Sequence, residues 1–280
     1  MTGTMAAAAR PRLDKLLVQR GLAPSREAAQ SLVMAGRVSV DGRAESKPGA
    51  RIDPEAAVEV AGPPRLYVSR GGIKLAAALD AFQVDPEGRI AVDIGSSTGG
   101  FTDCLLKRGA SRVYAVDVGR GQLDWTLRRD PRVVVLEGIN ARYLSPAGLP
   151  GLGEGASLAV IDVSFISLGL ILPRVPPLLA PGRPGRPRAA ILALVKPQFE
   201  VGRRRVGKGG IVRDPALRAE ALASAARAAS AAGCAVEGMA ASALPGSEGN
   251  QEYFLHLKPG AGGLAPEEIE EHARRIAHGG

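Results

Sequence analysis

Residues 90–100 have the sequence IAVDIGSSTGG, which combines a strand pattern, a glycine-rich turn and the start of a helix. A β-branched, apolar run is followed by a glycine-rich turn that opens directly into a helical pattern. The glycines permit a tight turn and a close approach of the backbone to a ligand, and the helix start supplies free N–H donors. A second apolar run ends at Asp117, where a carboxylate can accept hydrogen bonds from ribose hydroxyls. This order of elements predicts a site for a nucleoside-containing cofactor.

The region from residue 70 onward alternates short apolar runs with helical patterns. Strands are predicted over residues 90–95, 112–117, 133–136, 157–162 and 189–196, and helices over residues 100–108, 121–129, 167–180 and 214–232. Such alternation is typical of an α/β domain whose mostly parallel sheet has helices on both faces. Ligands bind beyond the carboxyl ends of such strands, so we expect the site at that edge.

Residues 12–60 show a separate pattern of two helices and a hairpin. Leucines recur at helical spacing over residues 13–17, and Ser25 is placed to cap a second helix. The string VSVDG at residues 38–42 predicts a strand that runs into a tight turn. Because so few residues bury little surface, we expect an appended α+β module.

The length and composition fit this division. A chain of 280 residues with 45% hydrophobic content can form one large or two unequal domains, and it is not a disordered or collagen-like chain. The expected parts are a flexible N-terminus (1–11), the small module (12–60), a linker (61–69), the α/β domain (70–260) and a charged C-terminal helix or tail (261–280).

The formal net charge of +8 favours a polyanionic partner. Residues 183–213 contain nine basic residues and one acid, so the net charge of this stretch equals that of the whole chain. A Pro/Gly loop (181–188) precedes Lys196 and a Gly/Arg loop (202–210) follows it. Basic loops beside a site of chemistry are expected to hold phosphates, without base specificity of their own.

Cysteine usage and the N-terminus indicate the compartment. Cys104 and Cys234 are the two cysteines, and their wide separation favours neither a disulfide framework nor a zinc site. The N-terminus lacks the pattern of a signal peptide, and prolines and Arg174 interrupt the longest apolar stretches. We therefore expect a cytoplasmic protein without a metal.

Three interpretations of the glycine-rich loop compete. NAD binding favours G-x-G-x-x-G, whose second glycine is absent. The string GSSTG at residues 95–99 also fits G-x-S-x-G, the nucleophile elbow of hydrolases, with Ser97 as nucleophile. That chemistry needs a histidine base, for which the chain offers His256, His272 and His278. A loop that need not hold a pyrophosphate suits S-adenosylmethionine, and we favour this interpretation.

Several strings, in order along the chain, resemble one known family. RLDKLLVQRGLAPSREAAQSLVMAGRVSVDGR (12–43) resembles the S4-like RNA-binding domain. Downstream, SRGGIKL (69–75), DIGSSTGGFT (93–102), VDVG (116–119), DVSFIS (162–167) and VKPQFE (195–200) resemble the TlyA family. The resemblance runs from about residue 12 to 258. It implies a ribosomal RNA 2′-O-methyltransferase that uses S-adenosylmethionine, with an FtsJ-like, Rossmann-like class I methyltransferase sheet; some members are labelled haemolysins.

The resemblance also implies a catalytic tetrad of Lys74, Asp162, Lys196 and Glu252. A ribose 2′-hydroxyl is a weak acid, so methyl transfer from a sulfonium depends on positioning and on help with the proton. A lysine acts as base only when neutral, which burial or a second ammonium favours. We hypothesise that Lys196 orients and helps to deprotonate the hydroxyl while Asp162 steers it. Lys74 and Glu252 would position the ribose and tune the charge.

The expected binding residues fall into two sets. The cofactor set is Asp93, Gly95, Ser96, Ser97, Thr98, Gly99, Gly100, Phe101, Asp117 and Asn140. The RNA set is Arg12, Lys15, Arg26, Arg37, Lys47, Arg203, Arg204 and Arg205. We expect a monomer. The family's substrate is a cytidine in large-subunit (23S) RNA, for some members also in small-subunit (16S) RNA, as free RNA or in a ribosomal subunit. Two alternatives are a membrane-active haemolysin and an RNA-binding protein with an inactive methyltransferase domain.

Overall fold

The computed structural model describes residues 10–23, 25–34, 36–61, 66–181, 188–246 and 248–279. The chain divides into two compact units, Met1–Arg65 with Asp124–Thr126, and Leu66–Leu123 with Leu127–Gly280. Outside the described residues lie 1–9 of the N-terminus, 24 and 35 of the small module, 62–65 of the linker, 182–187 of the Pro/Gly loop, 247 of the α/β domain and 280 of the C-terminal segment.

The smaller unit contains two helices and a three-stranded antiparallel sheet. Its elements are α1 (Leu13–Gln19), α2 (Arg26–Met34), β1 (Val38–Val40), β2 (Arg43–Ala44) and β3 (Val58–Val60). At the start of α2, Ser25 Oγ accepts a hydrogen bond from the Ala28 backbone N–H at 3.2 Å, as the capping prediction requires. Strand β3, which the sequence pattern did not predict, pairs with β1 on the side opposite β2. Leu13, Leu17 and Val33 are fully buried in the core of this unit.

The larger unit is built around a seven-stranded sheet. Its helices are α3 (Arg70–Ala81), α4 (Gly100–Lys107), α6 (Pro197–Glu200), α7 (Pro215–Ala231) and α8 (Pro266–Gly279), and the short helix α5 (Trp125–Arg128) is divided between the two units. Its strands are β4 (Ile90–Ile94), β5 (Arg112–Asp117), β6 (Val133–Glu137), β7 (Leu158–Ile161), β8 (Ala190–Val195), β9 (Cys234–Ala241) and β10 (Tyr253–Pro259). The order is β6-β5-β4-β7-β8-β10-β9, in which β10 is antiparallel to both neighbours and all other pairs are parallel. The predicted mostly parallel α/β sheet is confirmed.

Alternate residues of the central strands pack on opposite faces of this sheet. On β8, Ile191 shares a core cluster with Leu222 of α7, whereas Leu192 shares another with Leu105 of α4. Both faces are therefore covered, which explains why the strand is apolar at every position from Ala190 to Val195.

Two helix predictions in the larger unit are wrong. In place of a helix over residues 167–180 there are three 3₁₀ turns, Leu168–Leu170, Leu172–Arg174 and Pro176–Leu178. Prolines at three positions of this stretch cannot donate the backbone hydrogen bonds of an α-helix. The helix predicted over residues 121–129 shortens to α5: Gly121 has a left-handed φ of 68°, and Asp124 Oδ1 accepts a hydrogen bond from the Thr126 N–H at the helix start.

The charged C-terminal segment, expected to be a helix or a tail, contains the helix α8. Ile269, Ala273 and Ala277 are buried in the same cluster as α7, and Glu270 forms an ion pair with Arg227 of α7. The segment is thus part of the larger unit.

Candidate active site

A cavity of about 1160 Å³ lies at the carboxyl ends of the parallel strands. Its lining includes Gly95 and Ser97 after β4, Asp117 at the end of β5, Asn140 after β6, Asp162 and Phe165 after β7, and Phe199 and Arg203 after β8. This is the edge at which an open α/β sheet binds its ligands. The volume exceeds the roughly 300–1,000 Å³ of a usual small-molecule site. It is large enough for a nucleoside-containing cofactor.

The glycine-rich loop is fixed from two sides. Gly95 has a φ of 87°, and a Cβ atom there would lie 2.3 Å from the carbonyl oxygen of Asp162, so the position requires glycine. The carboxylate of Asp117 accepts hydrogen bonds from the backbone N–H groups of Ser97 and Gly119, both at 2.7 Å. Each Asp117 oxygen keeps a second lone pair for a ligand hydroxyl.

Four of the ten predicted cofactor residues line the cavity, namely Gly95, Ser97, Asp117 and Asn140. The other six, Asp93, Ser96, Thr98, Gly99, Gly100 and Phe101, do not. Phe101 is buried in the core with its ring centroid 6.1 Å from that of Phe254. Phe101 therefore packs the start of α4 against the core.

Asp93 is fully buried at the end of β4. Its Oδ2 accepts a hydrogen bond from Thr102 Oγ1 at 2.6 Å, while Oδ1 has no hydrogen-bond partner within the described part of the chain. Burial raises the pKa of Asp93 to about 7, and the negative charge of Asp162 acts in the same direction, while the Thr102 hydrogen bond opposes them. Asp93 thus anchors α4 to the sheet beneath the cavity.

Asp162 and Lys196 follow neighbouring strands and form an ion pair. Lys196 Nζ lies 2.6 Å from Asp162 Oδ1 and donates a hydrogen bond to Ser164 Oγ at 2.7 Å. Lys196 caps α6, and Pro197 occupies the first helical position, which ends β8 at this point. Because Asp162 lines the cavity, the ion pair lies at its wall.

Lys74 and Glu252 form the second ion pair of the predicted tetrad. Lys74 Nζ donates a hydrogen bond to Glu252 Oε2 at 2.6 Å, and both residues are buried. Val195 opposes Tyr253 in the register of β8 and β10, so Lys196 and Glu252 lie at the same end of the sheet. The four predicted residues therefore meet at one edge as two ion pairs. Of the four, Asp162 lines the cavity; Lys74, Lys196 and Glu252 do not, and Lys196 lies behind Asp162 and Ser164.

Two residues of the site were not singled out from the sequence. One is Ser164, which accepts the hydrogen bond from Lys196. The other is the buried Asn250, whose Oδ1 accepts from the Val212 N–H and whose Nδ2 donates to the Gly210 carbonyl, both at 2.8 Å. These hydrogen bonds connect the end of the Gly/Arg loop to the segment just before β10. Its partners lie 38 and 40 residues earlier, a distance at which local sequence patterns carry no signal.

In the smaller unit, Arg12 and Arg26 both form ion pairs with the fully buried Asp14, at 2.9 and 3.1 Å. The hydrogen bond from Arg12 holds the pKa of the Asp14 carboxyl well below its usual range. Both guanidinium groups remain partly exposed, so Asp14 fixes their orientation at the surface.

The other predicted RNA-binding side chains differ in their contacts. Lys15, Lys47, Arg203, Arg204 and Arg205 are exposed. Arg37 donates a hydrogen bond from Nε to the Ala61 carbonyl at 2.8 Å. Arg205 forms an ion pair with Glu220, whereas Arg203 lines the cavity.

Comparisons with known proteins agree with this geometry. The model of the FtsJ-like methyltransferase family matches residues 67–259, and that of the S4 domain matches residues 11–58. The chain is 50% identical to the 16S/23S rRNA (cytidine-2′-O)-methyltransferase TlyA of Mycobacterium tuberculosis, over 90% of this chain and 91% of the relative. It is 40% identical to Hemolysin A of Brachyspira hyodysenteriae, over 88% and 99% of the two chains. A solved structure from Streptococcus thermophilus, described as a hemolysin, is 42% identical with a TM-score of 0.70, covering 98% of this chain and 97% of that one.

The fold and the cavity define an S-adenosylmethionine-dependent methyltransferase. The chain belongs to the TlyA family, in which an S4 domain precedes an FtsJ-like methyltransferase domain. The cavity fits the cofactor, because Gly95 leaves room for it and Asp117 presents acceptor oxygens suited to ribose hydroxyls. None of the helices in the described residues has the length and apolar character that crossing a bilayer needs.

Proposed function

We propose that this protein transfers a methyl group from S-adenosylmethionine to the 2′-oxygen of a cytidine ribose in ribosomal RNA. The observation that carries the proposal is the Asp162–Lys196 ion pair at the wall of the cavity that also contains Asp117. The cofactor supplies an electrophilic methyl group on a sulfonium. The protein must position the ribose 2′-hydroxyl and accept its proton.

Lys196 meets both needs. Its Nζ atom lies 2.6 Å from Asp162 Oδ1 in an ion pair and donates a hydrogen bond to Ser164 Oγ. Lys196 as the neutral amine can orient the 2′-hydroxyl and accept its proton through the nitrogen lone pair, as the new O–CH₃ bond forms and the methyl group leaves the sulfonium sulfur. Asp162 fixes Nζ in this position.

Lys74 and Glu252 act from behind the cavity wall. Their buried ion pair joins α3 to the residue before β10, beside Lys196 in the sheet register. They hold that end of the sheet and set the local charge, while the ribose meets Lys196.

The choice of a ribosomal RNA cytidine is supported by the activity named for the M. tuberculosis relative and by the S4 domain. The exposed Arg203 and Arg204 in the Gly/Arg loop supply positive charge for phosphates beside the cavity.

The test is transfer of a tritiated methyl group to ribosomal RNA, free and in purified subunits, followed by mapping of 2′-O-methylated positions. We expect label on a cytidine ribose with the wild type and none with Lys196→Ala. Lys258→Ala is the matched control, because Lys258 forms an ion pair of the same length with Glu237 away from the cavity lining. Label on a base, or no transfer to any RNA, would contradict the proposal.

A further inference from the structure

The loop after β7, residues 162–168, carries Asp162 and Ser164 to the cavity. In the described residues, no backbone–backbone hydrogen bond involves residues 163–166. Phe165 in this loop has a left-handed φ of 65° and is 90% exposed. A bulky residue keeps such a conformation only when its surroundings impose it. Side-chain contacts must therefore hold the loop.

Those contacts come from the segment after β8, residues 196–200. At the front of the loop, Lys196 contacts Asp162 and Ser164. In the middle of the loop, the ring centroids of Phe165 and Phe199 lie 5.1 Å apart. At the rear of the loop, where it leads into the 3₁₀ turns, Glu200 contacts Ser167 and Leu168.

Glu200, the last residue of α6, is bound through both carboxylate oxygens. Oε2 accepts a hydrogen bond from Ser167 Oγ at 2.6 Å, and Oε1 accepts one from the Leu168 backbone N–H at 2.8 Å. Burial raises the pKa of Glu200, against the effect of these two hydrogen bonds. The carboxylate is thus bound to the loop and only partly open to solvent.

We infer that Glu200 is a positioning residue for methyl transfer, which sets the reactive geometry of Asp162, Ser164 and Lys196 by clamping the rear of the loop. This inference rests on the proposed function. Glu200 does not line the cavity and acts through the loop it holds. Displacing reacting groups by about 1 Å can reduce a rate by about 10²-fold, so loss of the clamp lowers kcat far more than it weakens cofactor binding.

Two substitutions separate a clamp from a catalytic carboxylate. Glu200→Ala removes both hydrogen bonds, and we expect kcat to fall by about 10- to 100-fold, with the KM for RNA and the Kd for S-adenosylmethionine changing much less. Glu200→Gln keeps an oxygen for the Leu168 N–H and an NH₂ group that can donate to Ser167 Oγ. We therefore expect Glu200→Gln to retain most of the wild-type kcat.

Ser167→Ala removes one of the two clamp hydrogen bonds and should give an intermediate kcat. The Ser167→Ala/Glu200→Ala double variant should be no slower than Glu200→Ala, because both changes act on one contact. If Glu200→Ala does not fold, Ser167→Ala and Glu200→Gln carry the test. The matched control is Glu237→Ala, which removes the carboxylate of the ion pair with Lys258 and should leave kcat unchanged.

The outcomes are distinct. The positioning role would be overturned if Glu200→Ala and Ser167→Ala both kept the wild-type kcat, or if Glu200→Gln folded but was inactive. In either case, methylation by the wild type would leave the proposed function intact. Failure of the wild type to methylate any RNA would instead overturn the proposed function.

Discussion

The Lys74–Glu252 ion pair is buried, with side chains 10% and 3% exposed, whereas the Lys258–Glu237 pair of the same 2.6 Å length is 32% and 30% exposed. A buried charge that loses its partner keeps the desolvation penalty, whereas a partly exposed one is screened by water. The two pairs therefore differ in their expected contribution to stability.

Removing one partner of the buried pair should be costly. We expect Glu252→Ala to lower the free energy of unfolding by about 3–5 kcal/mol, because Lys74 is left buried and unpaired. Glu237→Ala should cost less than about 1 kcal/mol. Urea unfolding measures both.

An apolar double substitution then separates stability from function. Lys74→Met/Glu252→Leu removes both charges and should recover much of the lost stability. We expect this variant to remain deficient in methyl transfer. Recovery of both stability and activity would show that the pair is only structural.

Lys196 gives a prediction about chemistry. Lys196→Ala should abolish methyl transfer while calorimetry shows S-adenosylmethionine binding retained, because the lysine contacts Asp162 and Ser164 and the cofactor loop is held by Asp117. Lys196→Arg keeps the charge but cannot become neutral at working pH, so it should also be inactive. Full activity of the arginine variant would reject a lysine-specific role.

The sequence predicted those parts of the site that depend on neighbours along the chain. The glycine-rich loop and Asp117 are local consequences of strand, turn and helix signals. The hydrogen bonds of Asn250 and Glu200 join residues 32 to 40 positions apart. Strand β3 pairs with β1 across residues 41–57, without the tight turn that marks a hairpin in the sequence. The position of Phe101 in a motif says nothing about which way its ring packs, and the ring lies in the core beside that of Phe254.

Asp93 should make stability depend on pH. Its folded-state pKa is raised to about 7 from an unfolded value of about 3.9. Between these values the folded state binds a proton that the unfolded state has released, so stability falls as the pH rises through this window, by at most about 4 kcal/mol. Above pH 7 the loss is complete.

Asp93→Asn tests this directly. The amide oxygen can still accept the Thr102 hydrogen bond, and the side chain does not ionise. We therefore expect the unfolding free energy of the variant to change less between about pH 4 and pH 7 than that of the wild type. Parallel curves for the two proteins would show that Asp93 does not titrate in this range.

The Gly/Arg loop should make RNA binding depend on salt. Within the described part of the chain, Arg203 and Arg204 form no ion pair, while Arg205 is paired with Glu220. Each phosphate contact that is lost should lower the slope of log Kd against log salt by roughly 0.7–0.9. Arg203→Gln/Arg204→Gln should therefore weaken binding and flatten the slope more than Arg205→Gln does. Arg227→Gln is the matched control, since Arg227 is paired with Glu270 on α8. A slope that stays at the wild-type value in the double variant would remove these arginines from the RNA contact.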